Sequence, residues 1–415
     1  MARDTIICGL DIGSSAIRTV IAHKKRGSEQ LSLIGVGEVP SVGVRKGAIV
    51  DNEEAAAAVK ESIKMAQHAA GHTVRSVYAS VSGAHVSSRY SKGIVSVSRA
   101  DEEISEDDVA RVVMQAQSIS IPPNKEILHV LPKEYIVDGE GGIQDPVGMR
   151  GKRLETNAVI VECSAPVIRN LAKCIDAVNV DIDGFVASPV AAAHAVLSKR
   201  QKELGVLLLD IGGTTSGIAA FEEGNMIHAA VLPVGAAHIT NDIAIGLQVD
   251  IDVAEMIKVR YGVCRPDTIN RKEMIDTMME EGGEKIDNIS RKEVAEIIEA
   301  RMDELFDLVE KELKKITKQV LFPGGVVIVG GGAQMGGIVE FAKNRLKLPA
   351  HVGVPDHIDG VVDQLASPQY ATAVGLCLLG FDAEEKSTGS RIFPSSGPAG
   401  RSGEWMKKIL KMFLP

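Results

Sequence analysis

The sequence predicts an α/β fold built from two similar domains that face a common cleft. Three observations carry this. One stretch occurs twice: residues 6–21 read I-I-C-G-L-D-I-G-S-S-A-I-R-T-V-I and residues 206–220 read V-L-L-L-D-I-G-G-T-T-S-G-I-A-A. The two aspartates, Asp11 and Asp210, lie too far apart for a solenoid repeat, so the repeat unit is a domain. Two alanine-rich helical stretches, Ser188–Val196 and Pro368–Leu376, follow the repeats at matching places and are suited to close packing at a domain interface.

The repeated stretch is an apolar run, Asp-Ile-Gly, two small positions and a second apolar run, which is the pattern of a β-hairpin. Gly13 and Gly212 supply the backbone freedom of the turn. Ser14, Ser15, Gly213, Thr214 and Thr215 are small, so an anion can approach the backbone N–H groups. Asp11 and Asp210 fall at strand ends, where a carboxylate can hold Mg²⁺ through water. A single Asp-Gly pair is a common hairpin turn. Two copies with matching flanks point to a phosphate clamp closed from both sides.

The chain has 415 residues, enough for two or more domains, with 45% hydrophobic and 24% charged residues. Its net charge of −9 argues against nucleic-acid binding by the bulk of the chain. Five cysteines, Cys8, Cys163, Cys174, Cys264 and Cys377, form no C-x-x-C pair. They read as buried thiols in a reducing cytoplasm. No signal peptide and no apolar run of membrane-spanning length is legible.

In order, residues 5–50 read as three strands, and 51–70 as a helix capped by Asp51 and stopped by Gly71. Residues 77–81 read as a strand. Residues 84–162 read as an insertion of β-α-β-β order: a strand at 94–98, a helix from a capping box at Ser105–Asp108, and strands at 127–137 and 156–163. A helix, a strand at 182–186 and the first alanine-rich helix complete the first half. His194, inside that helix, reads as a packing residue. After the second hairpin, Ala254–Lys258 lies on a helix where Glu255 and Lys258 share a face. Residues 280–289 read as a polar loop. Ser290 and Glu293 form a capping box that opens a long helix, whose apolar stripe runs to Val320. Residues 326–337, V-V-I-V-G-G-G-A-Q-M-G-G, read as a buried strand entering a glycine-rich turn, with Gly330, Gly331, Gly332, Gln334 and Met335 facing the ligand. These elements group as 1–83 and 163–198 for the first domain around the insertion, and 199–234, 235–322 and 323–365 for the second. A connecting helix at 366–381 returns to the first domain, followed by a Ser/Gly/Pro-rich linker at 382–403 and an amphipathic helix at 404–415.

That last segment puts Trp405, Met406, Ile409, Leu410, Met412 and Phe413 on one arc and Lys407, Lys408 and Lys411 on the other. A basic amphipathic end on an acidic body suits an anionic membrane surface, reached over a linker that spans on the order of 26 Å. One such helix binds weakly, so stable attachment calls for several tails on a polymer.

Together these motifs resemble the actin-like ATPase superfamily over essentially the whole chain. Asp11–Ser15 and Asp210–Thr215 resemble its two phosphate loops, Ser188–Val196 and Pro368–Leu376 its connecting helices, Gly330–Met335 its adenosine loop, and Glu255 with Lys258 its ribose and adenine contact. The resemblance implies two duplicated RNase H-like domains around a nucleotide cleft, with ATP and Mg²⁺ as cofactors. Asp11 and Asp210 would position the metal and its waters. Within the superfamily, the insertion and the tail resemble the bacterial FtsA family, whose inserted subdomain is called 1C. This implies a protein that polymerises and tethers filaments of the tubulin-like FtsZ to anionic lipids on the cytoplasmic face of the inner membrane at midcell. It would meet later divisome proteins through 1C. The FtsZ C-terminal peptide would dock on the outer part of the second domain (2B), where Arg301 and Glu304 lie. Two departures stand out. The helix starting at Ala165 lacks the carboxylate that relatives use to orient water, which predicts weak ATPase activity at most. Gly235 is followed by Ala236 where many relatives carry Gly-Gly. The rival readings are a PilM-type pilus-assembly homologue, which the tail disfavours, and a small-molecule kinase of the same fold, for which no catalytic carboxylate can be placed.

Overall fold

The computed structural model describes residues 5–25, 31–118, 122–277, 286–316, 322–355, 358–360 and 365–389. The predicted amphipathic helix 404–415, with Trp405, Met406, Lys407, Lys408, Ile409, Leu410, Lys411, Met412 and Phe413, lies outside the described residues.

The first half opens with β1 (Thr5–Ile12), β2 (Ala16–Lys24) and β3 (Leu31–Pro40), then the short pair β4 (Val44–Arg45) and β5 (Ala48–Ile49). Helix α1 (Asn52–Ala70) follows; Asp51 Oδ1 accepts from the N–H groups of Glu53 and Glu54, and Gly71 ends it in the left-handed region at φ 66°. Next is β6 (Ser76–Val81). The insertion holds β7 (Ser87–Ser96), α2 (Glu106–Gln117), β8 (Lys125–Val137), β9 (Glu140–Ile143) and β10 (Arg153–Ser164). Helix α3 (Ala165–Asp176), β11 (Asp181–Ala187) and α4 (Ser188–Val196) complete this half.

The second half runs α5 (Lys199–Leu204), β12 (Val206–Ile211), β13 (Ser216–Glu222), β14 (Asn225–Leu232), α6 (Ala236–Leu247) and α7 (Ile251–Tyr261). It continues with β15 (Met274–Thr277), β16 (Ile286–Ser290), α8 (Arg291–Leu313), β17 (Val326–Val329), α9 (Ile338–Leu346), β18 (Ala350–Val352), β19 (Ile358–Gly360) and α10 (Ala371–Gly389).

The duplication is visible in the sheets. The first contains the order β11-β6-β1-β2-β3 and the second β18-β17-β12-β13-β14. In each, three antiparallel strands are flanked by two parallel ones. Each is therefore an RNase H-like unit, and in each the repeated hairpin is formed by its central strands.

The insertion has its own core around Val112, Val113, Ile127, Tyr135, Leu154 and Ile160. Although inserted in the first half, it continues the second half's sheet through one bridge, Ser87 to Ala230. Side chains reinforce this seam. Ser88 Oγ accepts from Ala229 N–H at 2.9 Å and contacts His228 Nδ1 at 3.1 Å, while His228 Nε2 meets Glu312 of α8 at 3.1 Å.

The alanine-rich helices cross as expected. Gly375 of α10 sits against Ala191 of α4 so closely that a Cβ would lie 1.8 Å from the Ala191 carbonyl oxygen. His194 packs with its Nε2 3.0 Å from Asp382. All five cysteines are buried.

Several elements differ from the sequence reading, among them the extra short strands β4, β5 and β9. Helix α10 runs to Gly389, well into the segment assigned to a linker from 382; Glu385 pairs with Lys24 and Asp382 with His194, which anchors the extra turns. Residues 286–289, read as loop, belong to the strand Ile286–Ser290 because it pairs with β15. Helix α8 ends at Leu313, and Ile316 turns back into the core instead of extending the stripe. The first strand of the insertion starts at Ser87, ahead of the Ile94 expected.

Candidate functional site: a cleft between two matching hairpins

In the first hairpin, Asp11 is opposite Arg18 and Ile12 opposite Ile17; in the second, Asp210 is opposite Gly217 and Ile211 opposite Ser216. The turns match as well. A Cβ at Gly13 would lie 2.8 Å from the Ala16 carbonyl oxygen, and one at Gly212 would lie 2.9 Å from that of Thr215. Neither turn tolerates a side chain at its glycine, which explains the repeated Asp-Ile-Gly.

The two turns touch across the cleft. Thr214 Oγ1 donates to Ser14 Oγ at 2.7 Å, and a Cβ on Gly213 would fall 2.0 Å from Ser15 Oγ. Between and below them is a cleft. Asp11, Gly13, Ser14, Ser15, Asp210, Gly212, Gly213, Thr215, Gly330 and Gly331 line it, all of them among the predicted site residues.

Two carboxylates form its floor. Ser80 Oγ donates to Asp11 Oδ1 at 2.7 Å. Burial raises the Asp11 pKa, with Ser80 and the Arg18 charge opposing the shift. Asp210 is pushed up to about 7 by burial, then by the charge of Asp11; Thr372 and Arg18 oppose this. Burial of both carboxyls, and the Asp11 charge acting on Asp210, make a setting that a nearby positive charge would relieve. Among the described residues no group of three or more His, Cys, Asp or Glu could hold a metal directly.

Gly330 braces the floor. Its φ of +82° suits glycine, and a Cβ there would lie 2.4 Å from Asp210 Oδ1 and 2.5 Å from the Ile211 carbonyl oxygen. A Cβ at Gly331 would meet nothing within 4 Å, so this backbone borders open space.

Other predicted residues stand back from the cleft. Gly235 supports the second turn: a Cβ there would lie 2.6 Å from the carbonyl oxygens of Gly212 and Gly213, which accept from the Ala236 and Ala237 N–H groups, respectively, at the start of α6. Lys258 is buried and donates to Glu255 Oε2 at 2.6 Å and Thr240 Oγ1 at 2.8 Å, tying α7 to α6. Gly332 packs on Ile211, Met335 on the second core, and Gln334 donates to Gln369 at 3.2 Å. Arg301 forks onto Asp242 at 2.5 and 2.7 Å and also pairs with Glu304. Its guanidinium is thus engaged within the chain, on the face expected to receive a peptide.

Several lining residues escaped the sequence reading: Arg18, Ser82, Ser188, Gln369 and Thr372. Arg18 pairs with Glu38 at 2.7 Å and lies 5.4 Å over the Tyr370 ring. The legible signal was a lone arginine inside the apolar run A-I-R-T-V-I.

Comparison with known proteins places this geometry. A family model described as "Cell division protein FtsA" matches residues 207–375, and one described as "SHS2 domain inserted in FTSA" matches residues 83–162. Among curated relatives, the cell division protein FtsA of Pseudomonas aeruginosa is 35% identical over 94% of this chain and 93% of its own. That of Borreliella burgdorferi is 34% identical over 100% and 99%, and that of Bacillus subtilis 36% identical over 91% and 83%. Among solved structures, the PilM-PilN type IV pilus biogenesis complex aligns with a TM-score of 0.66 at 18% identity, covering 90% of this chain and 98% of that one. MreB5 of Spiroplasma citri bound to ADP aligns at 0.55 and 12% identity, covering 93% and 99%; the MamK double helical filament aligns at 0.51 and 13%, covering 91% and 98%. These three show the shared actin-like fold alone. With the duplicated sheets, the inserted SHS2 domain and relatives alike along almost the whole length, this chain belongs to the FtsA family of actin-like cell-division proteins.

Proposed function

We propose that the chain binds ATP with Mg²⁺ between the two hairpins, self-associates, and ties FtsZ filaments to the inner membrane at midcell. The observation that carries this is the pair of matching turns held face to face by the Thr214–Ser14 hydrogen bond, above two buried carboxylates. The backbone N–H groups of Gly13–Ser15 and Gly212–Thr215 are the phosphate donors. Asp11 and Asp210 would hold Mg²⁺ through its waters, and the ion would neutralise charge on the bound phosphates. Glu255, Lys258 and the Gly330–Met335 turn serve the nucleoside end. The ADP bound to the MreB5 relative in fold lends support to this reading, as the MamK filament does to self-association.

Hydrolysis is slow in this reading. Helix α3 opens Ala-Pro-Val-Ile-Arg-Asn and places no carboxylate in its first turn to orient water. The nucleotide then acts mainly as a clamp between domains. Among the described residues no helix is long and apolar enough to cross a membrane. Attachment to lipid is assigned to residues 404–415, and contacts with later divisome proteins to the insertion.

Titrating the full chain with anionic vesicles tests this directly, because Trp405 is its sole tryptophan. The expected result is a blue shift that occurs at lower lipid when MgATP is present. An emission already blue without lipid, and unmoved by it, counts against the tether.

The FtsZ contact has its own test. Removing one of the two carboxylates that hold Arg301, by Asp242→Asn, is expected to strengthen binding of an acidic FtsZ C-terminal peptide several-fold, and Arg301→Glu to weaken it at least tenfold. Fluorescence anisotropy of the labelled peptide reads both. Equal affinity in all three proteins removes Arg301 from the interface.

A further inference from the structure

A second cavity, of about 240 Å³, opens where the first domain, the insertion and the second domain meet. Its apolar lining comes from all three: Val190 of α4 and Leu379 of α10, Leu131 of β8, and Phe221 and Met226 of the β13–β14 hairpin. Its polar groups are His194, Lys202 and Asn225. His194 is taken by Asp382 at 3.0 Å, and Asn225 donates to Gln144 at 3.2 Å and to the Glu223 carbonyl at 3.1 Å.

Lys202 differs from these two. Its ammonium lies 5.4 Å over the Phe221 ring and, among the described residues, makes no hydrogen bond or ion pair. Glu222 is occupied by Lys133 at 3.2 Å. Burial lowers the Lys202 pKa, with the charge of Asp382 opposing the shift. A half-buried ammonium without a close anion, beside an apolar cavity, is available to pair with an anionic ligand whose apolar part enters the cavity.

We propose that this cavity binds a small organic monocarboxylate with a compact aliphatic body, the carboxylate meeting Lys202 and the body lying on Leu131, Phe221 and Leu379. One cation matches one negative charge. A second charge would face Asp382 or the apolar lining, which excludes dianions and nucleotides. The occupant would touch all three units at once and so fix the insertion relative to both domains. This site is separate from the cleft between the hairpins and does not depend on the nucleotide reading.

Calorimetric titration of the full chain with octanoate, and in parallel with octan-1-ol, tests the proposal. The wild-type chain is expected to bind one octanoate, and Lys202→Met to bind it at least tenfold more weakly while binding octanol as the wild type does. Absence of saturable octanoate binding to the wild type, or equal binding by Lys202→Met, overturns the proposal. Should Lys202→Met lose both ligands, Lys202→Arg decides: retained octanoate binding supports the site, and its loss overturns it.

Discussion

Gly375→Ala is expected to destabilise the chain by about 3 kcal/mol or more, near the upper end of what overpacking costs. The added methyl would lie 1.8 Å from the Ala191 carbonyl oxygen, and both the α4 backbone and the α10 backbone must move to make room. No rotamer relieves a clash between a Cβ and a backbone atom. These two helices join the domains, and their neighbours Ala192, Ala193, Ala373 and Val374 are fully buried. Separating them therefore also opens the core of the first domain. Gly331→Ala is the control, because a Cβ there meets nothing within 4 Å and the expected change is within about 0.5 kcal/mol. Urea unfolding midpoints read both variants. A wild-type midpoint for Gly375→Ala contradicts the close crossing.

Asp210→Asn is expected to separate stability from function. The Asp210 carboxyl titrates near 3.8 when unfolded and is pushed up to about 7 in the fold. Between those values the folded chain holds a proton that the unfolded chain has released. The group's contribution to stability is thus present below about pH 4 and lost as pH rises through 7. Without Mg²⁺, asparagine removes this loss, and the variant should exceed the wild type by about 1–2 kcal/mol at pH 8. Under the proposed Mg²⁺ site the order is expected to reverse with MgATP, because the cation would no longer have its second carboxylate. We expect about a 100-fold loss of MgATP affinity, or about 2.7 kcal/mol. Thermal unfolding at pH 5 and 8, with and without MgATP, gives all the required comparisons. An apo variant less stable than the wild type at pH 8 contradicts the assigned electrostatics.

The parts of the site that were legible in the sequence are the parts fixed by local geometry. A turn that excludes a side chain at Gly13 and again at Gly212 must repeat its glycine, and strand ends that place Asp11 and Asp210 at the floor must repeat the aspartate. What remained hidden depends on contacts between distant segments. Thr372 reaches Asp210 at 3.4 Å only because α10 returns to the cleft, and Ser80 meets Asp11 because β6 lies beside β1. The same reason explains the elements that differed. Ile286–Ser290 is polar by composition and becomes a strand through its partner β15. Residues 382–389 lie at the head of a Ser/Gly/Pro-rich window, but D-A-E-E-K continues a helix well, and contacts to His194 and Lys24 keep it folded. The Glu255–Lys258 pair shows the opposite limit. Its spacing was legible, yet the burial of Lys258 against Thr240 appears only once α6 and α7 pack.

The two hairpins are proposed to clamp one nucleotide with its metal. Equilibrium titration of the full chain with ATP, once with Mg²⁺ and once with EDTA, tests it most directly. The expected result is one ATP per chain, with affinity at least tenfold lower when Mg²⁺ is removed. No saturable binding, or binding indifferent to Mg²⁺, would contradict the clamp and the roles of Asp11 and Asp210.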